Sequence, residues 1–166
     1  EGEAKEYYRE LDISRAISKV SYEVNGVKYT REYFISHTDN IMIIRITSSN
    51  KGALSFDVQF QSLLKFRRNT TQGVLEAKGY TAVHAEPSYR GERKNAVVFD
   101  PEKGTRFSTL MKLKNTGGEL VSSDSTIGIK NGTEAILYIS IATSFNGFDK
   151  DPATEGLDYE KLALDQ

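Results

Sequence analysis

Cysteine and tryptophan are absent from this chain of 166 residues, and only three prolines and two histidines are present. Without cysteine the chain can form no disulfide, no thiolate zinc site and no iron–sulfur cluster. No apolar run approaches the ~18 residues that a membrane-spanning helix needs. Basic and acidic residues nearly balance, at 22 and 23. This balance removes the main electrostatic argument for a nucleic-acid partner or an anionic membrane.

Aromatic and β-branched residues are abundant, and they favour half-buried strands. A chain of this length buries about two-thirds of its unfolded surface, which suits one domain. Apolar residues alternate with polar ones over Leu54–Phe60, Phe107–Leu113 and Ala135–Ile141, and this period of two predicts strands. The run Ile41–Ile44 is apolar on both faces and predicts a central strand covered on both sides.

Turn signals separate these strands. Asn25-Gly26 and Asn131-Gly132 each predict a two-residue hairpin, because both residue types tolerate a positive φ. Strands recur about every 8–12 residues, which predicts an all-β fold, an antiparallel sandwich or barrel. Two segments do not follow this pattern of strands and turns. Helix propensity alone favours a helix over 3–11, and the apolar spacing over 157–164 is helical, after a linker-like stretch at 149–156.

One loop concentrates groups that could carry function: His84, Glu86, Tyr89 and Arg90. Loops hold functional residues more often than cores do, but a hydrogen-bond cluster that only stabilises the loop is an equal alternative. For His37, we favour a loop histidine that hydrogen-bonds within a turn. For the basic run 65–68, we favour a solvent-facing strand edge over RNA contact.

No spacing in the chain identifies a catalytic centre. No pair of the acidic residues is singled out for glycosidic hydrolysis, and no serine lies in the Gly-x-Ser-x-Gly pattern of a nucleophile elbow. Two distant histidines do not define a metal site, and there is no glycine-rich motif for a phosphate or a nucleotide. We therefore assign no catalytic, metal or cofactor-binding residue.

In their order along the chain, five segments resemble the N-terminal domain of family 95 glycoside hydrolases, the α-L-fucosidases. They are Tyr8–Ile13, Val24–Phe34, Thr38–Arg45, Gly79–Gly91 and Thr143–Pro152. The resemblance covers essentially the whole chain, and the order of the segments makes it specific.

The resemblance implies a polypeptide with a β-sandwich, a helical linker and an (α/α)₆ catalytic barrel. It also implies that this polypeptide hydrolyses α-L-fucosides with inversion at the anomeric carbon. It implies that 1–148 is the sandwich without its first strands, and that 149–166 is a linker into a helical catalytic domain absent from this chain. The acid and base lie in the barrel, so the chain alone is expected to be inactive. Enzymes of this family are usually secreted or periplasmic, so the resemblance implies that location and a fucosylated glycan as substrate. It also favours a strand at 7–11.

Two further expectations follow. His84, Glu86, Tyr89 and Arg90 should face the catalytic domain or line the rim of its cleft. A sandwich that lacks strands should carry an open edge or an apolar patch, and could dimerise through it. The alternative function is a self-standing carbohydrate-binding module, which usually presents a flat row of exposed aromatic rings.

Overall fold

The structure, a computed structural model, describes residues 2–91 and 93–166. These residues form thirteen strands and one α-helix. They are β1 (Lys5–Asp12), β2 (Ile17–Val24), β3 (Val27–Ser36), β4 (Ile41–Ser48), β5 (Leu54–Val58), β6 (Lys65–Thr71), β7 (Val74–Tyr80), β8 (His84–Ala85), β9 (Val97–Val98), β10 (Arg106–Thr116), β11 (Glu119–Ser122), β12 (Ile127–Gly132), β13 (Glu134–Thr143) and α1 (Tyr159–Asp165).

Eight strands form one antiparallel sheet in the order β1-β2-β3-β4-β13-β10-β7-β6. A smaller sheet, β11-β12-β5, packs on one face of it, and β8 pairs with β9 in a separate two-stranded sheet. We call the face towards the small sheet the inner face and the opposite one the outer face. The predicted all-β sandwich is confirmed.

The core lies between β12 of the small sheet and the strands β7, β10 and β13 of the large one. Its buried residues are Leu75, Met111, Leu113, Ile127, Ile129, Ala135 and Leu137, with Ile44, Phe56, Val58, Phe60 and Ile139 packed around them. The alternation seen in the sequence produces this core, since every second residue of β10 and β13 points inward. Burial of this kind contributes about 25 cal/mol per Å² of apolar area.

The segment with strong helix propensity is a strand. β1 pairs with β2, with Leu11 opposite Ser18 and Asp12 opposite Ile17. Asp12 then holds the turn that follows, because its carboxylate accepts hydrogen bonds from the backbone and side chain of both Ser14 and Arg15. Backbone pairing with β2 outweighs the helix preference of the local residues, as the family resemblance predicted.

The two Asn-Gly pairs have different outcomes. Asn25 and Gly26 have φ of 52° and 76° and close the hairpin between β2 and β3, as predicted. The second hairpin prediction is wrong: Gly132 ends β12 in the small sheet, and β13 belongs to the large one. A side chain at position 132 would collide with Ile129, so this glycine serves packing at a crossover between the sheets.

Strand β4 is internal to the large sheet, between β3 and β13. The prediction of a strand buried on both faces is wrong in detail, because Ile41–Ile44 are only half-buried. The reason lies on both faces: α1 packs on β10 and β13 and leaves the outer face of β4 partly open, and the small sheet leaves part of the inner face uncovered at Met42.

The small sheet covers only part of the inner face. Leu11, Ile35 and Ile141 on β1, β3 and β13 are 68%, 68% and 56% exposed. Ile35 lies opposite Met42, and Met42 lies opposite Ile139, so the exposed residues continue the apolar stripe of the core. We call Leu11, Ile35, Met42 and Ile141 the open inner face.

The two edges of the large sheet carry charged side chains. β6 presents Lys65 and Arg67, and its place at the edge agrees with the strand edge predicted for 65–68. At the other edge, β1 is interrupted by a register shift between Lys5 and Tyr8. Charges and bulges of this kind discourage pairing with another chain's edge.

Helix α1 lies on the outer face of the large sheet. Asp158 caps it by accepting a hydrogen bond from the backbone N–H of Lys161 at 3.1 Å, as N-cap aspartates do. Ala163 is 1% exposed, and the Ser140 hydroxyl donates to its carbonyl at 2.7 Å. The helical spacing predicted for 157–164 is thus a short docked helix. In the part of the chain that the structure describes, no helix is long and apolar enough to span a membrane.

Candidate domain-interface site

The predicted site lies in the connection between β7 and β10. The strand pair β8–β9 gives this connection a frame, with His84 opposite Val98 and Ala85 opposite Val97. The Glu86 N–H donates to the Ala96 carbonyl at 2.7 Å and extends the pairing by one residue. His84 and Glu86 are therefore positioned by backbone hydrogen bonds.

Glu86 is the centre of the site. Its carboxylate oxygens lie 3.9 Å from His84 Nε2, 3.8 Å from an Arg90 nitrogen and 3.9 Å from an Arg93 nitrogen. The Glu86 side chain is 22% exposed, while the three cationic or titratable side chains around it are 51–58% exposed. The buried Oε2 atom of Glu86 accepts no hydrogen bond from the described residues. The cluster thus holds its charges close together without closing a hydrogen-bonded network.

Tyr89 stands apart from this cluster. It lies in a single 3-10 turn, Ser88–Arg90, which ends at Gly91 with a φ of 74°. Its side chain is 84% exposed. The structure therefore brings together three of the four predicted residues, His84, Glu86 and Arg90, and places Tyr89 on the outside of the same loop.

Sequence reasoning missed Arg93, the third partner of Glu86. The available signal was charge, because Arg93 belongs to the same polar loop as Glu86. It also missed a group of cationic and aromatic residues on the outer face, described below, because β6, β7 and β10 bring them together from distant parts of the chain.

His37 does not join the site. The hydrogen bonds of its turn link Ser36 and Asp39, while His37 is exposed. Among residues 2–91 and 93–166, no group of three histidine, cysteine or acidic side chains lies close enough together to hold a metal ion.

Comparison with known proteins identifies the family. Residues 1–147 match the model described as "Glycosyl hydrolase family 65, N-terminal domain". The chain is 30% identical over 166 residues to Alpha-L-fucosidase 2 of Arabidopsis thaliana, an alignment that covers 96% of this chain and 20% of that protein. A solved structure, a putative kojibiose phosphorylase from the human microbiome, superposes on 99% of this chain with a TM-score of 0.52 and 9% identity.

The solved structure shares the fold, and the chain matches 24% of its length. The chain thus spans about a fifth of the curated relative and about a quarter of the solved one. The resemblance predicted the N-terminal sandwich domain of a glycoside hydrolase, and this prediction is confirmed. With the family model matched over residues 1–147, the chain belongs to the glycosyl hydrolase family 65 N-terminal domain family.

Proposed function

We propose that this chain is the non-catalytic N-terminal β-sandwich of an inverting, α-L-fucosidase-like glycoside hydrolase, and that it supports an (α/α)₆ catalytic barrel in the same polypeptide. The likeness to a protein named as an α-L-fucosidase, along nearly the whole chain, supports the enzyme class. In this proposal a fucosylated glycan is the substrate of the whole enzyme.

One observation carries the contact with the catalytic domain. His84, Tyr89 and Arg90 are more than half exposed, although the loop that bears them is fixed by the β8–β9 pairing. Packing of the sandwich itself does not require these side chains. Rigid, exposed polar and aromatic groups of this kind suit a contact between domains. The loop either braces the barrel or forms part of the rim of its cleft.

The contact is tested in the full-length enzyme that carries this chain. His84→Ala, Glu86→Ala and Tyr89→Ala should each lower turnover or the melting temperature. Tyr8→Ala is the matched control, since Tyr8 is 53% exposed on the strand at the far edge of the sheet. If the three loop variants match the parent enzyme in both measurements, the loop is an ordinary connection and the contact is disproved.

The non-catalytic role is tested on the 166-residue chain alone. Inverting hydrolysis needs two carboxyl groups about 6.5–9.5 Å apart on either side of a bound sugar, and the proposal assigns both to the barrel. We expect no release of fucose from an α-L-fucoside above a buffer blank, with the full-length enzyme as positive control. Measurable release that increases with the concentration of the chain would contradict the proposal.

A self-standing carbohydrate-binding module is the alternative. Such a module would need exposed rings in one row. The exposed rings are instead spread over four places: Tyr7 and Tyr8 on β1, Phe34 on β3, Tyr89 in the loop between β8 and β9, and Phe145 and Phe148 after β13. Titration of the chain with a neutral fucosylated glycan separates the two functions, because only the module should bind it through its aromatic rings.

A further inference from the structure

The outer face of the large sheet carries a cleft of about 570 Å³ beside the beginning of α1. Strand register builds it. Tyr80 of β7 lies opposite both Lys65 of β6 and Arg106 of β10, and Arg67 lies opposite Lys78 in the neighbouring pair of β6 and β7. Tyr159 of α1 also lines the cleft. We call these six residues the cationic cleft.

The charges of the cleft are unbalanced. Lys78 contacts two carboxylates, Glu76 at 2.9 Å and Glu160 at 2.7 Å. Within the described part of the chain, Lys65, Arg67 and Arg106 have no carboxylate within 4.0 Å. Like charges directly opposite on neighbouring strands, such as Arg67 and Lys78, are destabilising. Packing of the sheet does not require this arrangement.

Neighbouring groups hold two of these cations, Lys65 and Arg106, in place without neutralising them. The Arg106 guanidinium carbon lies 5.4 Å from the centre of the Tyr80 ring, and one of its nitrogens donates to the Pro101 carbonyl. The Lys65 ammonium lies 5.4 Å from the Phe99 ring. Cation–π contacts fix a side chain but leave its charge available. A site whose donors are already in place loses less free energy when it orders a ligand.

We propose that the cationic cleft binds a carboxylate-bearing sugar, a uronic acid residue within an oligosaccharide. The volume lies within the roughly 300–1,000 Å³ of small-molecule sites. Guanidinium groups bind carboxylates through paired hydrogen bonds, and the tyrosines add apolar surface and hydroxyls. The four cationic residues line a single cleft, whereas the flat acidic surface of a protein partner would favour charges spread over the sheet.

This inference rests on the proposed function only in one respect, namely that a glycoside hydrolase acts on glycans. Its test uses the 166-residue chain and no enzyme activity. Trigalacturonic acid is titrated into isotopically labelled chain, with amide shifts followed by NMR and affinity measured by calorimetry, and maltotriose serves as the neutral trisaccharide. We expect trigalacturonic acid to shift amides of β6, β7 and the start of β10, and its affinity to fall as salt is raised.

The double variant Lys65→Gln/Arg67→Gln should weaken binding at least tenfold. Both residues are exposed on an edge strand, so the variant should remain folded. The single variant Arg106→Gln should also weaken the binding of trigalacturonic acid, which gives a second, independent test. The matched control is Lys19→Gln/Arg45→Gln, which removes one lysine and one arginine from β2 and β4 on the other half of the outer face. It should bind like the parent chain.

Absence of trigalacturonate binding at millimolar concentration would overturn the proposal, as would an equal loss in the control variant or equal binding of maltotriose. A hexaglutamate peptide that binds as tightly at the same amides would also overturn it and would favour an acidic protein segment. None of these outcomes alters the test of the His84 loop, so the two proposals fail separately.

Discussion

The ammonium group of Lys78 lies 2.7 Å from a carboxylate oxygen of Glu160, which joins the middle of β7 to the first turn of α1. A second carboxylate, Glu76, contacts the same ammonium at 2.9 Å. The Lys78 side chain is 18% exposed, so solvent screens these contacts less than it would on an open surface. This ion pair, the buried Ala163 and the hydrogen bond from the Ser140 hydroxyl to the Ala163 carbonyl hold the short helix on the sheet.

Lys78→Met should loosen α1 without unfolding the sandwich. The variant removes both ion pairs and leaves the two carboxylates without their shared cation. Glu160 is 44% exposed, so we expect a modest loss, about 1 kcal/mol or less in the free energy of docking. Hydrogen exchange should accelerate at the amides of 161–165 and remain unchanged in β10. Lys112→Met, on the same face of the sheet, is the control. The role of the ion pair would be contradicted if exchange at 161–165 accelerated equally in Lys112→Met, or if it did not accelerate in Lys78→Met.

Docking of α1 should weaken in acid. The hydrogen bond from Lys78 holds the pKa of Glu160 below its ordinary value of 4.5, although partial burial opposes this effect. Desolvation alone would lower the pKa of Lys78, but hydrogen bonds to Glu160 and Glu76 together raise it above its ordinary value, so the lysine stays charged at neutral pH. A carboxyl group whose pKa is lowered by folding stabilises the folded state above its unfolded pKa, and this contribution is lost as protons bind.

We therefore expect exchange at 161–165 to be slow at neutral pH, after correction for intrinsic rates, and to accelerate as the pH falls below about 4.5. Glu160→Gln should reduce this dependence and exchange faster at neutral pH. An unchanged pH profile in Glu160→Gln would show that another group controls the docking.

The open inner face should make the chain self-associate. Its exposed isoleucines continue an apolar stripe, and such surfaces favour association once they are large enough. The charged edges β1 and β6 argue against edge-to-edge pairing, so we expect contact through the face. Sedimentation from micromolar to millimolar concentration should show a dimer, and Ile35→Lys or Ile141→Lys should weaken it at least tenfold. Phe148→Lys is the control, as Phe148 is 99% exposed beyond the end of β13. A strictly monomeric parent chain would contradict this prediction.

Local sequence determined the all-β class, the strands of the core and the Asn25-Gly26 hairpin. In each case the information is short-range: alternation places Met111 and Leu113 on one face, and a positive φ at two adjacent residues fits a tight turn. Composition also drew attention to the polar loop, since its four residues lie within seven positions of one another, and the structure groups His84, Glu86 and Arg90 but not Tyr89.

Tertiary structure decided the rest. The strand at β1 depends on hydrogen bonds to β2 that propensity does not contain. At the Asn131-Gly132 crossover, the Asn131 N–H donates to the Ser55 hydroxyl and the Thr133 N–H donates to the Thr116 carbonyl, contacts that no local pattern predicts. The shared carboxylate of Glu86 and the cationic cleft both depend on which strands become neighbours. Lys65 and Arg106 are distant in sequence and meet only through Tyr80, because a sheet joins strands by backbone hydrogen bonds whose partners no local pattern specifies.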